Sequence, residues 1–121
     1  MKFLALIHSD ADAWEATPEA EKAAVYARYR SFLEEGRAAG IVLGGDELRP
    51  PTDATTVRVR GGETLVTDGP YAEVKEALGG YFLLDCADAE EACTWAARIP
   101  AAQHGAVEVR AVHVDESGGA S

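Results

Sequence analysis

A chain of 121 residues, 47% of them hydrophobic, can bury one core without disulfides or metal and is too short for two such cores. Its 21 acidic residues against 11 basic ones leave a formal charge of −10, which excludes the cation clusters that nucleic acid and anionic membranes require and leaves a cationic partner or a small molecule. Cys86 and Cys93 form neither a C-x-x-C pair nor a disulfide framework, and the apolar run near the start ends at His8-Ser9-Asp10, short of a signal or membrane span, so a reduced cytoplasmic protein is expected.

Residues 3–7 read as a strand apolar on both parities, with Phe3, Ala5 and Ile7 on one face and Leu4 and Leu6 on the other; such a strand belongs in the middle of a sheet covered on both sides. Residues 10–16 read as a loop. Thr17-Pro18 then supplies an N-cap and a proline at the first helical position for a helix over 18–39, in which Val25, Tyr29, Phe32, Leu33 and Gly36 share one face and Gly40 is the stop. A short strand at 41–43 opens into Gly44-Gly45, and Pro50-Pro51 stiffens the loop beyond it.

The runs 55–60 and 63–67 flank Gly61-Gly62, a two-residue connection that favours a hairpin, with Arg60 opposite Glu63 and Val57 opposite Val66. Asp68-Gly69-Pro70 stops the second run in a turn suited to a bond from the Asp68 side chain. After the charged residues Glu73, Lys75 and Glu76, Gly79-Gly80 releases the backbone into a strand at 81–85, again apolar on both parities. Asp88 caps a second helix with Glu91 three residues on; Ala89, Ala92, Cys93, Ala96 and Ile99 form its core stripe, and Pro100 ends it. Alternation over 107–112 gives the last strand, and 115–121 reads as a flexible polar tail.

This order is the βαββαβ plan of a ferredoxin-like α+β domain, an antiparallel sheet with an inserted hairpin, in a single domain over 1–114. Such a sheet carries helices on one face only. With two strands apolar on both faces, a second copy of the same sheet is the economical cover, which gives a homodimer across the sheet face.

If the last strand runs antiparallel beside the first, Val107 lies next to Ile7 and His8 approaches His104, with Asp10 and Asp12 nearby. That grouping suits proton transfer or a metal, but its spacing matches no ligand motif, and no metal or cofactor is expected. Glu108 and Arg110 share the parity opposite Val107 and Val109, which aims them at the face away from the helices, where an arginine can hold a carboxylate or phenolate in bidentate fashion.

The run Asp68-Gly69-Pro70-Tyr71-Ala72-Glu73-Val74-Lys75-Glu76, followed by Leu78-Gly79-Gly80-Tyr81, resembles the signature of the DGPF branch of the YCII-related family. Gly44-Gly45-Asp46-Glu47-Leu48, Thr55-Thr56-Val57-Arg58 and Ile99-Pro100-Ala101-Ala102 extend the resemblance over nearly the whole chain. It implies a small cytoplasmic ferredoxin-like dimer of bacterial type, with a pocket between sheet and partner. The wider family resembles enzymes in which a histidine of the first helix works with an aspartate; the helix at 18–39 has no histidine, Tyr26 and Tyr29 being its nearest polar-tipped residues, so that pair does not carry over. The expectation is a small-molecule-binding or regulatory dimer whose pocket draws on His8, Asp68, Tyr71, Glu73, Lys75, Tyr81 and Arg110. One alternative is a cofactor-independent lyase or hydrolase for an aromatic or other small acid, with His8 or Tyr29 in proton transfer and Arg110 on the substrate anion. The other is a protein that partners a sigma factor, with which the DGPF branch is associated.

Overall fold

Alternating burial along β1 (Lys2–Ser9) sets the architecture: Phe3, Ala5 and Ile7 are buried, while Leu4, Leu6 and His8 between them are half-buried. In the computed structural model, which describes residues 1–114, β1 lies inside a four-stranded antiparallel sheet of order β2-β5-β1-β6, formed with β2 (Val42–Glu47), β5 (Ala77–Asp85) and β6 (Ala106–Ala111). The segment 115–121, expected as a flexible tail, lies outside the described residues. Helices α1 (Ala11–Glu15), α2 (Glu19–Ala38) and α3 (Ala89–Ala96) complete an α+β arrangement consistent with a ferredoxin-like fold. β3 (Thr55–Arg60) and β4 (Glu63–Asp68) pair only with each other, as a separate two-stranded sheet.

The core lies on one face of the large sheet. Phe3 pairs with Leu84 and Ala5 with Phe82, so these four side chains project together against Phe32 of α2, Ala92 and Ala96 of α3, and Ile99. The Phe32 ring stands 5.1 Å from Phe82 and 6.3 Å from Trp95, and Gly36 lets α2 settle on β2, since a methyl group there would strike the Val42 side chain. Full burial of side chains such as Phe32, Leu84 and Ile99 contributes about 1.5–3 kcal/mol each. Arg98 ties α3 to α2 through an ion pair with Glu35.

Some sequence expectations need correction. The loop expected at 10–16 contains α1, capped by the Asp10 carboxylate, which accepts from the Asp12 and Ala13 N–H groups. Thr17 does not cap α2; its hydroxyl donates back to the Ala13 carbonyl and closes α1, while Pro18 stands at the N-cap. The core stripe of α3 is rotated from the one expected: Ala92, Ala96 and Ile99 are buried and Trp95 packs beside them, whereas Ala89 and Cys93 are exposed, because the large indole takes the inward position. Cys86 is buried, which raises its thiol pKa. Asp88 does accept from the Glu91 N–H, and the Glu91 carboxylate reaches back to the Ala87 N–H.

Both glycine pairs expected to interrupt strands lie inside them. β2 continues to Glu47 through Gly44-Gly45, and β5 begins at Ala77. A Cβ at Gly45 would collide with the Tyr81 carbonyl and the Phe82 ring, and one at Gly80 would lie 2.9 Å from the Asp46 carbonyl, so the two strands approach too closely for side chains there. The ladder between β1 and β5 has a bulge: Ile7 pairs with Gly80 and His8 with Leu78, leaving Gly79 supernumerary.

Candidate functional site

The face of the sheet away from the core carries the candidate chemistry. Period-two alternation brings Leu4, Leu6 and His8 of β1 onto it, with Tyr81 and Leu83 of β5, Glu108 and Arg110 of β6, and Asp46 of β2. Asp46, Tyr81, Leu6 and Glu108 form one cross-strand row over all four strands, and Leu83, Leu4 and Arg110 form the next. Leu4, Leu6 and Leu83 are half-buried at its middle.

Two polar pairs flank these leucines. The Tyr81 hydroxyl donates to Asp46 Oδ2 at 2.8 Å, and the hydrogen bond and charge of that carboxylate raise the phenol pKa above its ordinary value. On the opposite flank His8 Nε2 lies 3.1 Å from Glu108 Oε1, a diagonal contact, since His8 pairs directly with Ala106. When Nε2–H donates to Glu108, the neutral imidazole keeps Nδ1 as an acceptor able to take a proton. Arg110 Nε is 4.0 Å from the other Glu108 oxygen, and 70% of its side chain is exposed; its guanidinium is thus loosely held and available to an anion.

At its His8 end this face runs into an open groove of about 840 Å³ between the loops around Pro50-Pro51 and Pro70-Tyr71. Its walls include Leu48, Pro50, Pro51, Pro70, Tyr71 and Leu78; an ion pair of 2.7 Å joins the Arg49 and Asp53 side chains at the rim.

His8, Tyr81 and Arg110 therefore share one face, and His8 and Tyr71 share the groove. Asp68, Glu73 and Lys75, expected in the same pocket, are exposed and lie outside the groove lining. The Asp68 carboxylate does not hold its turn: the Gly69 N–H donates to the Ala54 carbonyl at 2.7 Å, the Thr56 hydroxyl donates to the Gly69 carbonyl at 2.8 Å, and Gly69 adopts φ +105°. Tyr71 is 82% exposed, with the Arg58 guanidinium 5.8 Å from its ring centre.

Val107 does pair with Ile7, yet His8 takes Glu108 as partner, and His104 ends the 3-10 turn Pro100–Gln103 as an exposed cap. A Cβ at Gly105 would strike the His8 carbonyl, so the chain between His104 and β6 passes close against the end of β1. Among the described residues, no three His, Cys, Asp or Glu side chains are grouped so as to hold a metal.

Tyr29 lies across the sheet from His8, on the helix side, its ring 6.3 Å from Phe82. Burial pushes its phenol pKa up, against a backbone hydrogen bond from Ala101. Near it stands Tyr26, named from the sequence as a polar-tipped residue of this helix, with a partner that sequence reasoning missed, Glu47. Burial first, and then the Glu47 charge and hydrogen bond, raise the Tyr26 phenol, and its ring meets Trp14 edge-on at 5.6 Å. Asp46 and Glu47 were overlooked for one reason: ending β2 at 43 removed them from the sheet, although alternation continued through the glycines assigns them to opposite faces.

Residues 1–114 match the family model of the YCII-related domain. Over 83 residues, 67% of the chain, the sequence is 41% identical to an uncharacterised protein of Rhizobium meliloti (strain 1021), and the match spans 64% of that protein's length. Among the described residues no helix is long and apolar enough to cross a membrane.

Proposed function

The chain belongs to the YCII-related domain family, and on that premise we propose that it is a small-molecule-binding module of the DGPF type. Two copies face each other across the sheet surface that bears Leu4, Leu6, Leu83 and Tyr81, and the β3–β4 hairpin is an insertion in the ferredoxin-like plan. The observation that carries this reading is the set of charged groups beside those leucines: His8 against Glu108, with Arg110 loosely held on the other side of the same carboxylate.

Exposed ion pairs of this kind contribute only about 0–1 kcal/mol, so their placement is poorly explained by stability alone. A partner sheet laid over them lowers the local dielectric and strengthens each interaction with a bound anion. The ligand class is a small acid, aromatic or otherwise. Its carboxylate or phenolate meets Arg110, its body lies on the leucines, and the Tyr81–Asp46 pair bounds the far side.

A second reading is favoured by the His8–Glu108 contact itself. A carboxylate that orients an imidazole leaves a nitrogen suited to proton transfer, so a cofactor-independent lyase or hydrolase acting on such an acid is the runner-up.

The test is a thermal-shift screen of small aromatic and aliphatic acids. A ligand that binds only the folded state at 100 times its Kd adds about 2.7 kcal/mol of stability. A rise in Tm that disappears in Arg110→Ala and shrinks in His8→Ala supports the site. Failure of every acid, or a rise untouched by Arg110→Ala, removes it.

A further inference from the structure

We propose that the β3–β4 hairpin is a dimerisation arm whose valine face packs on the second copy of this chain; the inference extends the sheet-face dimer proposed above and rests on it. Alternation divides the hairpin into two unlike faces. Val57, Val59 and Val66 share one with Thr64, while Thr55 and Asp68 stand at its stem end, and Val57 pairs directly with Val66. Arg58, Arg60 and Leu65 share the other. The Arg58 guanidinium lies over the Tyr71 ring of the hairpin's own stem, so the arginine face turns toward its own chain and the valine face turns outward.

That outward face is left bare. Val57, Val59 and Val66 are 60%, 58% and 64% exposed, and the hairpin pairs with no strand of the large sheet. A two-stranded ribbon is only marginally stable in water unless a further layer covers its apolar side. The three valines carry no charge, and a face of this kind fits an apolar protein surface rather than a nucleic acid or an acidic partner.

Area identifies the occupant as a second copy. Four strands of 8, 6, 9 and 6 residues, spaced about 4.8 Å apart with a rise of about 3.3 Å per residue, make a face of roughly 450 Å². Even half as much again for side-chain relief leaves that below the roughly 800 Å² per partner of a standard stable interface. The shortfall falls beside the hairpin: the groove that begins at His8 is walled by Ala54 and Pro70, the two residues at the hairpin's stem. An arm that reaches from there onto the partner adds the missing area and covers its own valines.

Sedimentation of the wild type, of Leu6→Asp and of the double variant Val57→Asp/Val66→Asp tests this. Expected are a wild-type dimer at micromolar concentration, a monomeric Leu6→Asp, and a hairpin variant whose dimer Kd rises tenfold or more. An unchanged Kd in the hairpin variant beside a monomeric Leu6→Asp overturns the arm and leaves the sheet-face dimer standing. A weakened hairpin variant beside an undisturbed Leu6→Asp overturns the sheet face instead. A wild type that stays monomeric overturns both.

Hydrogen exchange on the wild type decides the matter even if the double variant fails to fold. Amides of β3 and β4 become more protected as protein concentration rises through the dimer Kd if the arm is seated on its partner. Exchange independent of concentration overturns the proposal.

Discussion

Tyr81 and Tyr29 illustrate how the same side chain acquires different work on the two faces of one sheet. Tyr81 keeps its hydroxyl on the Asp46 carboxylate at the surface, whereas Tyr29 is packed beside Phe82 and has its phenol pKa raised chiefly by burial. Both phenols titrate higher in the folded chain than in the unfolded one, so the fold binds more protons than the unfolded chain above a pH of about 10. Their stabilisation is complete below that pH and is lost as pH rises through the folded values. Asp46→Asn should bring the Tyr81 transition back toward the ordinary range, seen by ultraviolet titration against a Tyr81→Phe control, while the Tyr29 transition stays high. A Tyr81 transition of unchanged position in Asp46→Asn counts against the hydrogen bond as the cause. At this scale strand parity placed Arg110 and the end of the first strand placed His8, and both share the open face with Tyr81. Asp68 ends β4 in the separate hairpin and Lys75 follows in an irregular segment with no period to read, so parity could not show that both stand outside the groove lining.

Turn chemistry and strand pairing differ in how much of them is written locally. Gly61 and Gly62 have φ of +57° and +79°, the left-handed pair that a tight hairpin needs, and the register Arg60–Glu63 and Val57–Val66 follows from them as expected. Gly44-Gly45 and Gly79-Gly80 have the same composition, yet they lie within paired strands, and only the tertiary contact between β2 and β5 shows why. α1 was missed because five residues hold too little periodicity to separate a helix from a loop. The neighbours Gly44 and Gly45 give a paired test. A methyl group at Gly44 meets nothing within 4 Å, so Gly44→Ala should change stability by no more than about 1 kcal/mol and in the favourable direction. At Gly45 the methyl must displace the Tyr81 carbonyl, and Gly45→Ala should cost about 1–3 kcal/mol in urea unfolding. Equal costs at the two positions would contradict the close approach of β2 and β5.

For the molecule as a whole, the strand order and the side of the sheet that holds the core were legible, since the apolar parities of residues 3–7 and 81–85 and the two helices allow few antiparallel arrangements. What occupies the open face was not, because a partner or ligand leaves no periodicity in one chain. Charge acts at this scale too. Each copy carries −10, so bringing two together costs repulsion that salt screens over about 8–10 Å at physiological ionic strength. The proposed dimer should therefore tighten as sodium chloride is raised from low concentration, and sedimentation that shows it loosening instead would mean that attractive ion pairs govern the interface.

The bulge at Gly79 has a consequence for how the groove is held. Leu78 faces His8 and Tyr81 faces Leu6, so the pleat is in phase on both sides of one extra residue. Gly79 is nevertheless tied to the other side of the sheet, since its carbonyl accepts from the Leu48 N–H at 2.9 Å just beyond β2. Deleting Gly79 would regularise the ladder to β1 only by giving up that bond, so one extra residue couples the end of β2 to two walls of the groove, Leu48 and Leu78.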